Sequence, residues 1–250
     1  MKHLSIAALL ICLLYAGALA VEKPNIHESW NQILAASVRD GVVNYSGLKE
    51  NQADRKKLDA YLDELCKSDI SAFSRAQRLA FWINAYNAFT IKLILNHYPV
   101  RSIKDIPHAW DQKAWCAAGE RLSLNDIENI KLRQELKEPR IHFALVCASK
   151  GCPDLQTSAY RADSLNKMLD DTARSFFQQP KNFQAEKSGS TVIVYLSRIF
   201  QWYGNDFGKT DKERIAFMLP FLPKDAAAAI TQAQKIEIKY IAYDWSLNGT

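Results

Sequence analysis

The chain has 250 residues, is 48% hydrophobic and 24% charged, and carries a formal net charge of +5. That composition supports a packed core, and so small and dispersed a positive charge excludes nucleic acid as the partner. The one dense basic cluster, Arg55-Lys56-Lys57, reads as a solvated helix face.

Residues 1–20, MKHLSIAALLICLLYAGALA, read as a cleaved export signal. Lys2 leads, Leu4 to Tyr15 form the apolar stretch, and Ala18-Leu19-Ala20 puts small residues before the cut. The stretch is short for a membrane anchor, and bulky Leu10 and Ile11 before Cys12 argue against a lipoprotein signal. The expected product is residues 21–250, a single soluble domain with no stable membrane span, in the periplasm or secreted. Its oligomeric state is open.

The first expected helix covers 26–38, where Ile26, Trp30, Ile33, Leu34 and Val38 share a face. A turn and short extended piece follow, broken by Gly41. Leu58, Tyr61, Leu62 and Leu65 mark a second amphipathic helix ending near Cys66. Ser74 and Gln77 then cap a third, which Pro99 ends. From Leu79 to Leu95 it is apolar on nearly all sides, the pattern of a central buried helix. Asn84 and Asn87 sit three apart on it, so they either brace neighbouring backbone or contact a ligand.

Residues 107–118 read as irregular, packing Trp110 and Trp115 onto the body. Ser123 with Asp126 caps a helix running to about Leu136. The apolar run from His142 to Cys147 reads as a buried strand. An amphipathic helix from Arg161, a strand in STVIVYLSRIF and an aromatic-rich turn in QWYGNDFG come next. Helices near 211–219 and 224–233 lead to the alternating strand IEIKYIAYDW. The pattern is α+β: a mostly helical domain whose central helix packs on a small, mainly antiparallel sheet.

Four cysteines lie beyond the signal: Cys66, Cys116, Cys147 and Cys152. In an oxidising compartment the Cys147–Cys152 pairing is the most economical, because the intervening residues can form a turn.

The blocks AFWINAYNAFTIKLI, YPVRSIKDI, SLNDIE, PRIHFALVCASKGCPDL, LSRIFQWYGNDF and YDWSLN occur in an order that resembles the domain of unknown function family numbered 547. They cover nearly all of the chain beyond the signal. The resemblance implies a domain that bacteria often export and plants join to coiled-coil segments, with no agreed activity. Some members carry His where this sequence has Asn129, a departure that weakens any mechanism needing a second histidine at that position. A distant likeness to papain- or transglutaminase-like thiol hydrolases is an analogy of fold and does not establish function.

Thiol chemistry needs a nucleophile, a base, a group orienting that base, and donors for an oxyanion. Cys147 is the best nucleophile in the chain, and His142 is the histidine in its block. Five residues along a regular strand would put the two on opposite faces, making His97 or His108 the alternative base. Glu128, Asp126 and Asp244 are the candidate orienting carboxylates, and Ser149 to Gly151 offer backbone N–H groups. Three readings follow: a thiol-dependent hydrolase or transferase acting on an amide or small peptide, a non-catalytic binding module with a structural Cys147–Cys152 disulfide, and a thiol redox protein using that pair. Trp202, Tyr203, Phe207 and Trp245 either line a cleft or fill the core. The chain has no HExxH, CxxC, Gly-rich phosphate loop or GxSxG, and neither metal nor cofactor is expected.

Overall fold

The computed structural model describes residues 26–250, and the predicted signal lies outside them. The first layer comprises α1 (Glu28–Ser37), the antiparallel pair β1 (Val38–Arg39) and β2 (Val42–Val43), α2 (Tyr45–Glu50) and α3 (Gln52–Lys67). Trp30, Ile33 and Leu34 of α1 are buried at the expected spacing, and Trp30 stacks on Tyr61 of α3 with ring centres 5.9 Å apart.

The long central helix α4 (Arg75–His97) starts where the capping box predicts. Ser74 Oγ accepts from the Gln77 N–H, and Gln77 Oε1 accepts from the Ser74 N–H. From Leu79 to Leu95 every residue except Lys92 is buried, so neighbours cover α4 on all sides. The short antiparallel pair β3 (Trp115–Ala117) and β4 (Glu120–Leu122) packs on it, with Trp115 stacked on Phe89 at 5.0 Å. The end of the stretch expected to be irregular is therefore a strand. The Ala118 and Gly119 N–H groups donate to the last carbonyls of α3, and a Cys66–Cys116 disulfide ties the same two elements.

The helix after Ser123 keeps the predicted Ser123–Asp126 reciprocal cap but winds as a π-helix, Asp126–Leu136. Its last bond runs from the Lys137 N–H to the Leu132 carbonyl, five residues back.

The expected strand at His142–Cys147 does not form. Pro139 opens a 3-10 helix, Pro139–Phe143, which Glu138 caps by accepting from the Arg140 N–H. The backbone beyond is irregular yet buried, so its polar groups need partners. Asn87 supplies them: its Nδ2 donates to the Ala144 carbonyl and its Oδ1 accepts from the Val146 N–H, both at 2.9 Å. Asn84 does the same for Tyr160, engaging its carbonyl and its N–H, also at 2.9 Å. Each amide replaces one rung of a sheet ladder. An apolar run in a sequence cannot distinguish a strand from a segment paired this way.

The remaining α-helices and strands are α5 (Leu165–Phe177), β5 (Phe183–Ser188), β6 (Thr191–Leu196), α6 (Ile199–Trp202), α7 (Gly204–Phe207), α8 (Asp211–Met218), α9 (Lys224–Gln232) and β7 (Lys235–Tyr240), with short 3-10 helices at Ile103–Asp105 and Leu219–Phe221. The sheet order is β5-β6-β7, with β5 antiparallel and β7 parallel to β6. β5 escapes the sequence pattern because most of its side chains are exposed and polar, and the expected QWYGNDFG turn is the helix pair α6–α7. The class is α+β, mostly helical, with small and mainly antiparallel sheets. One hydrophobic cluster surrounds α4, and a second joins Phe143, α5, the three-stranded sheet and the helices between its strands. Among the described residues no helix is long and apolar enough to cross a membrane.

Two predictions follow from this packing. Asn87→Ala leaves two buried backbone groups unpaired and is expected to cost about 3 kcal/mol in urea unfolding. An unchanged midpoint would show that the clamp is replaceable. His27, buried against the Tyr61 hydroxyl at 2.7 Å, has its pKa pushed by burial from 6.5 down to about 4. The unfolded chain thus binds a proton in that window that the native state does not. Stability from His27 is full above pH 6.5 and falls as pH drops toward 4, by about 1.4 kcal/mol per pH unit. Unfolding midpoints measured across that range should show this slope in the wild type and lose it in His27→Gln.

Candidate functional site

Where the two hydrophobic clusters meet, the wall opens into a cavity of about 330 Å³, within the range of small-molecule sites. Cys147, His142 and Glu128 all line it, brought together from the loop after the 3-10 helix, the 3-10 helix itself and the π-helix. Because the expected strand is absent, the face argument against His142 and Cys147 meeting no longer applies. Both turn to one cavity.

His142 is buried and stacks on Tyr203 with ring centres 4.2 Å apart. Its Nε2 donates to Asp206 Oδ2 at 2.7 Å, which leaves Nδ1 as the basic atom of the ring. Arg133 reaches the same carboxylate from the π-helix, Nε at 2.5 Å and Nη2 at 3.0 Å, and its Nη1 is held by Asn129 at 2.6 Å. Burial alone would raise the Asp206 carboxyl. The hydrogen bonds and charges of His142 and Arg133 outweigh it and hold the group well below the usual carboxylate range. Sequence reasoning gave Asp206 no role, because its partners lie 64 and 73 positions away.

Glu128 is buried and lines the cavity together with Tyr86 of α4 and Tyr203. Burial, reinforced by the Glu128 charge, pushes both phenols far up, so they remain donors. Asp206, and not Glu128, is the carboxylate that orients the histidine.

Cys147 is paired with Cys152 as a disulfide. Two hydroxyls surround the sulfurs: Ser149 Oγ lies 3.2 Å and Tyr243 OH 3.4 Å from Cys147 Sγ, and the Tyr243 hydroxyl is 3.1 Å from Cys152 Sγ. Cys147 is half-buried and Cys152 is 3% exposed, so Cys147 is the sulfur a ligand would meet. Two of the loop's expected oxyanion donors are engaged elsewhere. The Lys150 and Gly151 N–H groups donate to the Ser246 and Asp244 carbonyls, each at 2.8 Å, and the Ala148 carbonyl accepts from the Asn248 N–H, which sets Ser149 opposite Leu247. A side chain at Gly151 would collide with the Tyr243 ring, which is why the loop needs glycine where the chain returns.

The other expected residues do not line the cavity. His97 Nδ1 bonds the Leu93 carbonyl at the end of α4, and His108 occupies a left-handed turn with φ of 54°. Asp126 caps its helix, and Asp244 accepts from Ser246. Asn84 and Asn87 hold backbone as described, so the ligand-contact role is not what their geometry serves. Trp202, Tyr203 and Trp245 do wall the cavity, whereas Phe207 is core. Tyr86, Trp110 and Tyr243 complete the wall without a local sequence signal. Among the described residues no group of three or more His, Cys, Asp or Glu side chains converges to hold a metal ion.

Residues 70–177, from the loop before α4 to the end of α5, match a family model described as "Protein of unknown function, DUF547". No curated protein and no solved structure matches the chain.

Asp206→Asn tests the electrostatic link. The native carboxyl binds its proton only well below 3.8, so its stabilising contribution is complete above that pH and is lost as the solution is acidified further. Acid unfolding followed by circular dichroism should become less steep below about pH 4 in the variant. An identical acid limb would mean that Asp206 is not held down in this way.

Proposed function

We propose, for a chain that belongs to the DUF547 family, that the cavity is the reaction site of a thiol-dependent hydrolase or transferase acting on an amide or small peptide. The supporting observation is convergence: a half-buried sulfur, a histidine oriented by a carboxylate, and the Tyr243 hydroxyl share one cavity although they come from distant parts of the chain. A core disulfide needs none of these companions.

The disulfide form is the resting state in this reading. A dithiol reductant opens Cys147–Cys152, giving two thiols and its own cyclic disulfide. His142 Nδ1 takes the Cys147 proton, and the thiolate attacks the amide carbonyl. The Tyr243 hydroxyl, which accepts from Ser149 Oγ, donates to charge developing beside the sulfur. The C–N bond breaks as the imidazolium returns a proton to the leaving amine, and water or an acceptor amine then cleaves the thioester and restores the thiol. Asp206, kept ionised by Arg133, stabilises the imidazolium between these steps.

The bonded sulfurs favour a second reading, a binding module with a structural disulfide. The loop they close is short, so its chain-entropy contribution is about 2 kcal/mol, against about 4 kcal/mol for Cys66–Cys116 with its separation of 50 residues.

Iodoacetamide alkylation with peptide mapping, before and after mild dithiothreitol treatment of the folded protein, separates the two. Catalysis predicts that reduction makes Cys147 reactive, about tenfold faster than Cys152, and that His142→Ala slows Cys147 alone. A pair that opens only on unfolding, with Cys147→Ser and Cys152→Ser equally destabilised, would leave the binding module standing. Reversible native oxidation at a potential well above structural disulfides, without acyl transfer, would move the assignment to redox work.

A further inference from the structure

The chain carries net positive charge, with 32 Lys and Arg, yet among the described residues that line the cavity there is no Lys or Arg. Apart from His142, its ionisable side chains are acidic: Glu128, which is buried, and Asp111, held by Asn125 at 2.5 Å. The rest is rich in electron-dense rings. Trp202, Tyr243 and Trp245 pack within 4.6 to 5.7 Å of one another, and Trp110 meets Trp245 edge-on at 6.1 Å. Trp202 lines the cavity and is 43% exposed although it belongs to this cluster.

The same rings already attract cations from outside the cavity. Lys104 Nζ lies 5.1 Å from the Trp245 ring centre, and the Arg133 guanidinium lies 4.9 Å from that of Tyr203. Neither side chain lines the cavity, and Arg133 is engaged by Asp206 and Asn129. Aromatic faces draw positive charge through the ring quadrupole, most strongly where water is excluded, and a buried carboxylate adds a counter-charge. An anion would meet the like charge of Glu128 and Asp111, with the His142 ring as the one basic group among the lining residues.

We infer that the cavity takes a small organic cation, an alkylammonium group seated among Trp202, Tyr243 and Trp245 with Glu128 as its counter-ion. The inference deepens the proposed function by naming the class of its ligand: the substrate or acceptor presents a positively charged nitrogen, while a free carboxylate or phosphate is excluded.

The test uses the oxidised full chain, so it does not depend on the reactivity of Cys147. Tryptophan fluorescence is titrated with choline, n-butylammonium, 3,3-dimethylbutan-1-ol as the uncharged isostere of choline, and butyrate. The expected result is saturable binding of a cation about tenfold tighter than the alcohol, with no binding of butyrate. Glu128→Gln should reduce that preference to about threefold or less, and Trp202→Leu provides a second variant at a more exposed position if the first does not fold. Equal or tighter binding of the alcohol or of butyrate, or no saturable binding of either cation, overturns the inference. Cation selectivity beside an unreactive Cys147 would overturn the catalytic reading alone, and a reactive Cys147 without selectivity would overturn the ligand class alone.

Discussion

The arrangement rests on two side-chain amides emerging from a helix that is buried on all sides. Asn84 and Asn87 each present a donor and an acceptor in the geometry of a peptide group, and each engages a buried segment that has no strand beside it. Left unpaired, those backbone groups would cost about 1–3 kcal/mol apiece, enough to drive the segments toward a sheet or toward solvent. The amides let the chain run irregularly through the interior. That irregularity turns the residues on either side of Ala144, His142 and Cys147, into a common cavity.

A second constraint joins the halves of the molecule. Arg133 extends from the π-helix on the α4 side, His142 leaves the 3-10 helix, and Asp206 lies on α7 among the elements of the second cluster. The three meet at one carboxylate, half in and half out of solvent, where charge pairing is stronger than at the open surface yet does not carry the full desolvation cost of the interior. Phe143, next to His142, belongs to the second cluster, while Ala144 and Leu145 belong to the first. The 3-10 helix is therefore where the chain passes between the two cores.

Local signals were readable in the sequence. The Ser74–Gln77 and Ser123–Asp126 boxes, the apolar girth of α4, the amphipathic α5 and the alternating β7 each state a period or a cap within a few residues. Pairings that depend on distant partners were not readable. The His142–Cys147 run looks like a strand because burial is visible in composition, whereas the identity of the hydrogen-bonding partner is not. The same limit hid the role of Asp206 and the wall positions of Tyr86 and Tyr243, though it left Cys147, His142 and Glu128 visible through chemistry alone.

The segment from Tyr243 to Thr250 shows why the site is a property of the whole fold. Its backbone bonds the Cys147–Cys152 loop through Asp244, Ser246 and Asn248, the stretch after α4 through Leu247, and β2 through Asn248 and Thr250. Gly249 passes so close to the Val43 carbonyl that any side chain there would displace one strand or the other. This tie fixes Tyr243 over both sulfurs and Trp245 against Trp110. The aromatic wall and the sulfur pair thus stand or fall together, because the chain that supplies one also supplies the hydrogen bonds that shape the other. Loosening either end would open the cavity and wet the sulfurs in the same motion, so the chemistry of the cysteines and the binding of a ligand are expected to be coupled rather than independent.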